Sequence, residues 1–459
     1  MITRLLEDVD SIYRASVVSA EVLESGPRHL ILKTRAAMQS KRAVSSADSE
    51  MLNQLKLAVV GESIEGRLRL EVLSDEVIRV RYAEGQTVPE NPTPMVVGTP
   101  SPVGRCRIDL KGKPTQVELE VAPWVKVQDS KSESKTIVIE TGKFRVEVAL
   151  DPYQIEIRDR QGRVVCGIGR REKNHFGCWD AVNTGLCRRR SDGHPVAVEC
   201  FDLSPAEAVY GLGEHFIKLN KVAQTIDLNM ADALGVTTPR AYKNIPFYLS
   251  TQGYGVFFNH SSLMTFHVGS RSATDVQAVA DDDFLDYYVF LGDMKRVLTL
   301  YTQVTGKGAL PPKWTFGYWQ SKISYKSAEE TLEIARQMRA HDIPCDVIHL
   351  DTHWFKEDWY CDLEFAKDRF PDAADYFKQL KALGIKISLW QLPYIPSGSK
   401  LFDDLKAVDG FVKNQKGEMY DCGICFTPGF RANGGTVGVV DYTNPAAVKV
   451  HQDAFRRLF

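Results

Sequence analysis

The sequence predicts a β-sandwich followed by a parallel α/β part, and two observations carry that prediction. Short alternating apolar and polar runs, separated by turn residues, fill the first two thirds of the chain. That is the pattern of half-buried strands in a two-sheet fold. From Pro311-Pro312-Lys313-Trp314 onward, strand-like and helix-like segments alternate instead, as they do in βα units on a parallel sheet. We therefore expect one domain over residues 1–310 and a second over residues 311–459.

The β part is justified strand by strand. Leu68-Arg69-Leu70-Glu71-Val72-Leu73 alternates, and Val77-Ile78-Arg79-Val80-Arg81-Tyr82 continues the pattern after a polar turn. Thr136 to Thr141 and Phe144-Arg145-Val146-Glu147-Val148 flank Gly142-Lys143, which predicts a hairpin. Ile155-Glu156-Ile157-Arg158 follows and ends at Gly162. The polar stretch Gln128 to Lys135 reads as a loop, and so does the basic run Arg188-Arg189-Arg190, taken as a solvated face.

In the α/β part, Thr315 to Gln320 reads as a first strand. Ser327-Ala328-Glu329-Glu330 has the capping-box form and opens a helix with Leu332, Ala335 and Met338 on one face. Cys345 to Leu350 is a second strand. Pro371 opens a second helix, with Ala374, Phe377, Leu380 and Leu383 aligned and Gly384 closing it. Ile385 to Trp390 is a third strand, and a longer excursion leads to Val437–Tyr442. Asn444-Pro445 is a cap followed by proline in the first turn, and Ala447, Val450, His451, Ala454 and Leu458 line one face of the last helix. That makes about three βα units. A closed (β/α)8 TIM barrel takes eight units and roughly 250 residues. The expectation is thus the amino-terminal part of such a barrel, incomplete, ending on an uncovered helix.

Composition narrows the function classes. The chain has 459 residues, 44% hydrophobic and 25% charged, with a net charge of −2. That balance argues against nucleic acid or an anionic membrane surface as a partner. The start, Met1 to Asp8, turns acidic before an apolar run builds, so no signal peptide is expected. No apolar run is long enough to span a bilayer. Nine scattered cysteines point to reduced thiols and the cytoplasm.

Candidate chemistry sits where the predicted strands end, because active sites of such barrels lie at the carboxyl ends of their strands. Asp351 follows the second strand, Trp390 ends the third, and Trp319 stands near the end of the first. Thr352-His353-Trp354-Phe355 comes next to Asp351. A carboxylate among tryptophans suits a sugar, whose C–H face packs on aromatic rings while its hydroxyls need hydrogen-bond partners. Packing roles compete with this reading at each tryptophan. Loop capping competes at Asp351. His349 reads as a packing histidine, and His353 is able to reach the mouth. Cys422-Gly423-Ile424-Cys425 has the spacing of half a zinc site, but no second pair follows, so no metal is expected. Asp441 reads as a turn residue. No nucleotide-binding or nucleophile-elbow motif is present, and no cofactor is expected.

Several motifs in sequence order resemble glycoside hydrolase family 31. They are Tyr210-Gly211-Leu212-Gly213-Glu214, Ile245-Pro246-Phe247-Tyr248, Leu310-Pro311-Pro312-Lys313-Trp314, Ile343 to Thr352, Trp359 to Phe365, Phe370-Pro371-Asp372, Leu389-Trp390 and Asp441 to Pro445. The resemblance implies an amino-terminal sandwich of the galactose-mutarotase-like type on a catalytic barrel. It implies retaining, exo-acting removal of a terminal α-linked xylose or glucose from a small oligosaccharide or α-glycoside. A non-catalytic carbohydrate-binding protein and an α-transglycosylase are the alternatives. A homo-oligomer is compatible with any of these.

Residue by residue, the resemblance assigns Asp351 to hydroxyls of the sugar in the cleavage subsite. It makes Thr352 a neighbour that sets which sugar fits, and Trp390 a wall of the same subsite. His353 belongs to the same stretch, Ile323 lies near a position beside the sugar, and Tyr360 stands where a related α-xylosidase has tryptophan. The family's aspartate nucleophile and its acid/base aspartate are expected beyond Phe459, so no catalytic residue is assigned and the 459-residue chain is expected to be inactive alone.

Overall fold

The structure, a computed structural model, describes residues 12–26, 28–40, 58–59, 64–91, 93–98, 107–111, 136–169, 184–189, 192–231, 233 and 238–458. The chain divides into two compact units between Gly308 and Ala309.

The first unit is β-rich. Among the described residues, nineteen strands are joined by antiparallel pairing into one network. Alternation explains the local choice of strand. In Ile64–Ser74 the residues Leu68, Leu70 and Val72 are buried while Arg69 and Glu71 are partly exposed and ion-paired at 3.0 Å. This strand pairs with Val77–Glu84, and Thr136–Glu140 pairs with Phe144–Leu150 across the Gly142-Lys143 turn, both as the alternation predicts. Side chains join layers that the backbone does not. Phe201, on Pro195–Asp202, meets Tyr248 and Phe258 edge-on at 6.1 and 6.0 Å, although its strand pairs with neither of theirs. Strand faces therefore pack on one another to form the core.

One expectation falls differently here. Arg188 and Arg189 are not loop residues. They end the strand Gly185–Arg189, and both are half-buried, held by Glu84 and Asp192. Each cation gains a carboxylate partner, and that lets a basic run join a sheet. Arg190 and the predicted loop Gln128 to Lys135 lie outside the described residues.

A carboxylate is sealed into this core. Glu199 accepts hydroxyl bonds from Thr184 (2.7 Å) and Tyr287 (2.9 Å) and an N–H bond from Cys200 (3.0 Å). Burial outweighs those bonds and pushes its pKa up to about 7.

The Tyr210–Glu214 motif has a backbone reason. Gly211, Leu212 and Gly213 all take positive φ (115°, 67° and 93°). A Cβ on Gly213 would sit 2.1 Å from the Lys243 carbonyl oxygen. Only glycine fits such a close crossing of two chains.

The second unit is built around three parallel strands, Trp319–Lys322, Val347–Leu350 and Lys386–Leu389, in that order. Helices Ala328–Ala340 and Ala373–Ala382 follow the first and second strands. Ser327 caps the first helix by accepting from the Glu330 N–H, and Glu330 reaches back to the Lys326 N–H. Asp372 caps the second by accepting from Asp375 N–H, so that helix starts after Pro371, and Tyr376 takes the buried place expected of Ala374. Ile348 and Leu350 pack into the core with Leu332, Ala335 and Leu380.

The first predicted strand is shifted. Lys313–Phe316 is a short 3-10 turn, closed by Gly317 N–H to the Trp314 carbonyl, and pairing begins only at Trp319. Gly317 permits the close approach of the Asp346 side chain that the turn needs. The segment expected as Val437–Tyr442 is a strand only over Val437–Val439, paired antiparallel with Tyr394–Pro396 and separate from the parallel sheet. Asn444 caps the last helix, Pro445–Arg456, whose Ala447, His451 and Ala454 are buried.

Candidate sugar site at the strand ends

The parallel register sets this site. Leu350 pairs with Leu389, and the Trp390 N–H donates to the Leu350 carbonyl at 2.8 Å. Asp351 and Trp390 therefore occupy the next rung, at the carboxyl ends of adjacent strands. The rung below pairs Ser321, His349 and Ser388. Strand alternation puts both rungs on the face opposite Ile348 and Leu350, which are committed to the helix layer.

Asp351 is half-buried and turns the chain. Its Oδ1 accepts the Thr352 N–H at 2.8 Å and caps the turn Thr352–Trp354. Its Oδ2 lies 3.8 Å from His349 Nε2. Thr352 is buried, and its hydroxyl shares a 3.0 Å hydrogen bond with Ser324. Its side chain is thus committed to the protein interior beside Asp351. His353 stands 3.8 Å from Asp358, and its carbonyl accepts from Arg369 Nε at 3.2 Å. Arg369 also reaches the carbonyls of Phe355 and Lys356, at 2.6 and 3.1 Å, so one guanidinium ties down the loop after the second strand.

The tryptophans divide into support and surface. Trp354 is 1% exposed, packs on Phe355 at 4.1 Å, and donates Nε1–H to the Trp390 carbonyl at 2.7 Å. Trp390 is half-buried and meets Trp359 edge-on at 5.0 Å, and Trp359 meets Phe426 in the same way at 4.8 Å. Trp359 has a φ of 63°, a left-handed conformation that bulky residues rarely adopt. Its N–H donates to the Thr352 carbonyl at 3.2 Å, which holds the ring beside Trp390.

Two expected members stand apart. Trp319 begins its strand and does not end it, so it lies opposite Val347 at the amino end, stacked on Trp314 at 6.4 Å. It is removed from the rim by the shift of the first strand. Tyr360 faces a separate cavity of about 500 Å³, lined also by Lys356, Glu357, Phe430 and Asn433. Its hydroxyl donates to the Ser397 carbonyl at 2.9 Å, and burial pushes its pKa up to about 12. Ile323 is 77% exposed just past the first strand, in register with Asp351 if the pairing is continued.

Sequence reasoning gave no site role to His349, Trp359, Phe426 or Asp362, although Trp359 and Asp362 lie in one of the quoted motifs. The i, i+2 spacing of His349 and Asp351 in a strand was a usable signal for a shared face. Asp362 is buried, accepts the Glu364 N–H at 3.1 Å, and is pushed up to about 6 by burial. Cys422 and Cys425 are free thiols, and Asp441 binds the Thr443 N–H and hydroxyl at 2.9 and 2.6 Å, a turn role.

Two domain profiles match the chain. The Glycosyl hydrolase 31 N-terminal galactose mutarotase-like domain matches residues 67–267, and the Glycosyl hydrolases family 31 TIM-barrel domain matches residues 308–459. The chain belongs to glycoside hydrolase family 31. Alpha-xylosidase XylQ of Lactiplantibacillus pentosus is 39% identical to this family 31 chain over 255 residues, covering 55% of the chain and 32% of that protein. An alpha-xylosidase of Emericella nidulans is 36% identical over 260 residues, covering 56% and 32%. The chain thus spans about a third of the length of these curated relatives. A family 31 dextranase of Flavobacterium johnsoniae, solved with isomaltotriose, superposes with a TM-score of 0.71 at 23% identity, over 97% of this chain and 46% of that one, and shows the shared fold.

Proposed function

We propose that residues 309–459 are the first part of the catalytic barrel of a retaining exo-α-glycosidase, and that they grip the terminal α-linked xylose or glucose whose bond is cleaved. The observation that carries this is the rung shared by Asp351 and Trp390 at adjacent strand ends. The Thr352 N–H fixes Oδ1 of Asp351, so its carboxylate is pre-set to accept from sugar hydroxyls. Each such charge-assisted bond contributes about 1.5–3 kcal/mol. Trp390 supplies an aromatic wall for the sugar's C–H face.

Bond cleavage with retention needs two carboxyls roughly 5 Å apart, one attacking the anomeric carbon and one protonating the leaving oxygen. Both are assigned, by family resemblance, to polypeptide beyond Phe459. No described residue is given either role. The match to two α-xylosidases supports xylose, while a methylene-sized difference between sugars is worth only about 1–3 kcal/mol in a pocket. The scattered cysteines of the sequence support the cytoplasm we propose for the protein.

The test compares rates on aryl α-xyloside and aryl α-glucoside in the protein that carries the carboxylate pair, beside residues 1–459 alone. Turnover is expected from the former and none above background from the latter. Release of aglycone by residues 1–459 would overturn the placement of the nucleophile.

A further inference from the structure

We propose that His349 is a second sugar-contacting residue, and that its Nε2 and Asp351 Oδ2 together hold one hydroxyl of the bound sugar. This rests on the reading that Asp351 faces the sugar. It adds a donor where that reading supplies only acceptors.

The geometry is specific. His349 stands two residues before Asp351, so both side chains leave the strand Val347–Leu350 on the same face. Nε2 and Oδ2 are 3.8 Å apart, too far for a direct hydrogen bond. A hydroxyl oxygen placed about 2.8 Å from each would form a closed triangle with them, at ordinary hydrogen-bond lengths on both sides. Such a hydroxyl donates its proton to the carboxylate and accepts from the imidazole. A sugar hydroxyl can do both at once, whereas a carboxylate alone uses only its donor.

The imidazole is held for this task. Nδ1 lies 3.0 Å from the Ser388 hydroxyl on the neighbouring strand. When Ser388 donates to Nδ1, the ring proton stays on Nε2, the nitrogen that faces the carboxylate. The register that pairs His349 with Ser388 also places Asp351 beside Trp390. Ring orientation and sugar wall are thus set by the same two strands. His349 keeps 22% of its side chain exposed, and a histidine serving only as packing would not need that access.

The experiment titrates residues 1–459 with methyl α-D-xylopyranoside, methyl α-D-glucopyranoside and their monodeoxy analogues, following the protein by NMR. Wild type, Asp351→Asn, His349→Ala and His349→Gln are compared, with near-UV circular dichroism to check folding. Glutamine can place an N–H near the position of Nε2. His349→Ala is expected to weaken binding about tenfold, and His349→Gln to recover part of the loss. The alanine variant should also stop discriminating against one deoxy sugar, the same one that Asp351→Asn ignores. If His349→Ala binds as wild type while Asp351→Asn fails, the proposal is overturned and the reading of Asp351 stands. The proposal is likewise overturned if the two variants lose discrimination at different hydroxyls. If Asp351→Asn binds as wild type, or wild type binds none of these sugars, both fall.

Discussion

Trp354 donates its indole N–H to the carbonyl of Trp390 at 2.7 Å, so a fully buried ring in the loop after the second strand fixes the backbone where the third strand ends. The two tryptophans have unequal roles. One is a strut, and the other is the surface it supports.

Replacing Trp354 by phenylalanine keeps an aromatic ring in place but leaves the Trp390 carbonyl without that donor. A part-buried carbonyl left unsatisfied and the lost ring volume together cost about 1–3 kcal/mol. Urea unfolding followed by fluorescence should show the loss. A change below about 0.5 kcal/mol would mean that this bond does not support the rim.

Asp362 makes the second unit sensitive to pH in a defined direction. Its folded pKa is raised from 3.8 to about 6 by burial, so the fold prefers the protonated carboxyl. Stability is then lost as pH rises from about 4 through about 6, because the charged form is costlier in the fold than in the unfolded chain. Asp362→Asn keeps an acceptor for the Glu364 N–H and removes the charge. Relative to wild type, it should gain on the order of 1–3 kcal/mol between pH 4.5 and 7.5. A constant difference across that range would contradict the assignment.

Glu199 gives the first unit a similar dependence at higher pH. Its folded pKa is raised from 4.5 to about 7, so its contribution weakens as pH rises through that interval. Glu199→Gln should gain on wild type by roughly 2–3 kcal/mol from pH 5 to pH 8 in denaturant titrations. The two variants should act independently, since their residues belong to different units. A pH-independent offset between Glu199→Gln and wild type would count against a sealed carboxylate.

Much of this molecule was readable before its structure. Alternation located Ile64–Ser74, Val77–Glu84 and the hairpin at Gly142, because a half-buried strand must place its apolar residues two apart. Caps located the helices that begin after Ser327 and Asn444. The first parallel strand was misplaced because aromatic and β-branched residues around Gly317 mimic a strand, while the glycine and the paired prolines make a turn. Arg188 and Arg189 were misread because charge alone does not reveal carboxylates supplied by distant segments, here Glu84 for Arg188. The places of Asp351 and Trp390 at adjacent strand ends were legible from the strand pattern. The contacts of His349 with Ser388 and Asp351 were not legible, because they depend on a register that no single strand encodes.

The central claim is that Asp351 and Trp390 clasp one sugar, and the most direct test follows the Trp390 indole N–H signal of residues 1–459 by NMR as methyl α-D-xylopyranoside is added. A saturable shift of that signal, abolished by Asp351→Asn with the spectrum otherwise folded, is the predicted result. Saturable binding that leaves the Trp390 signal in place, or that survives Asp351→Asn unchanged, would contradict it.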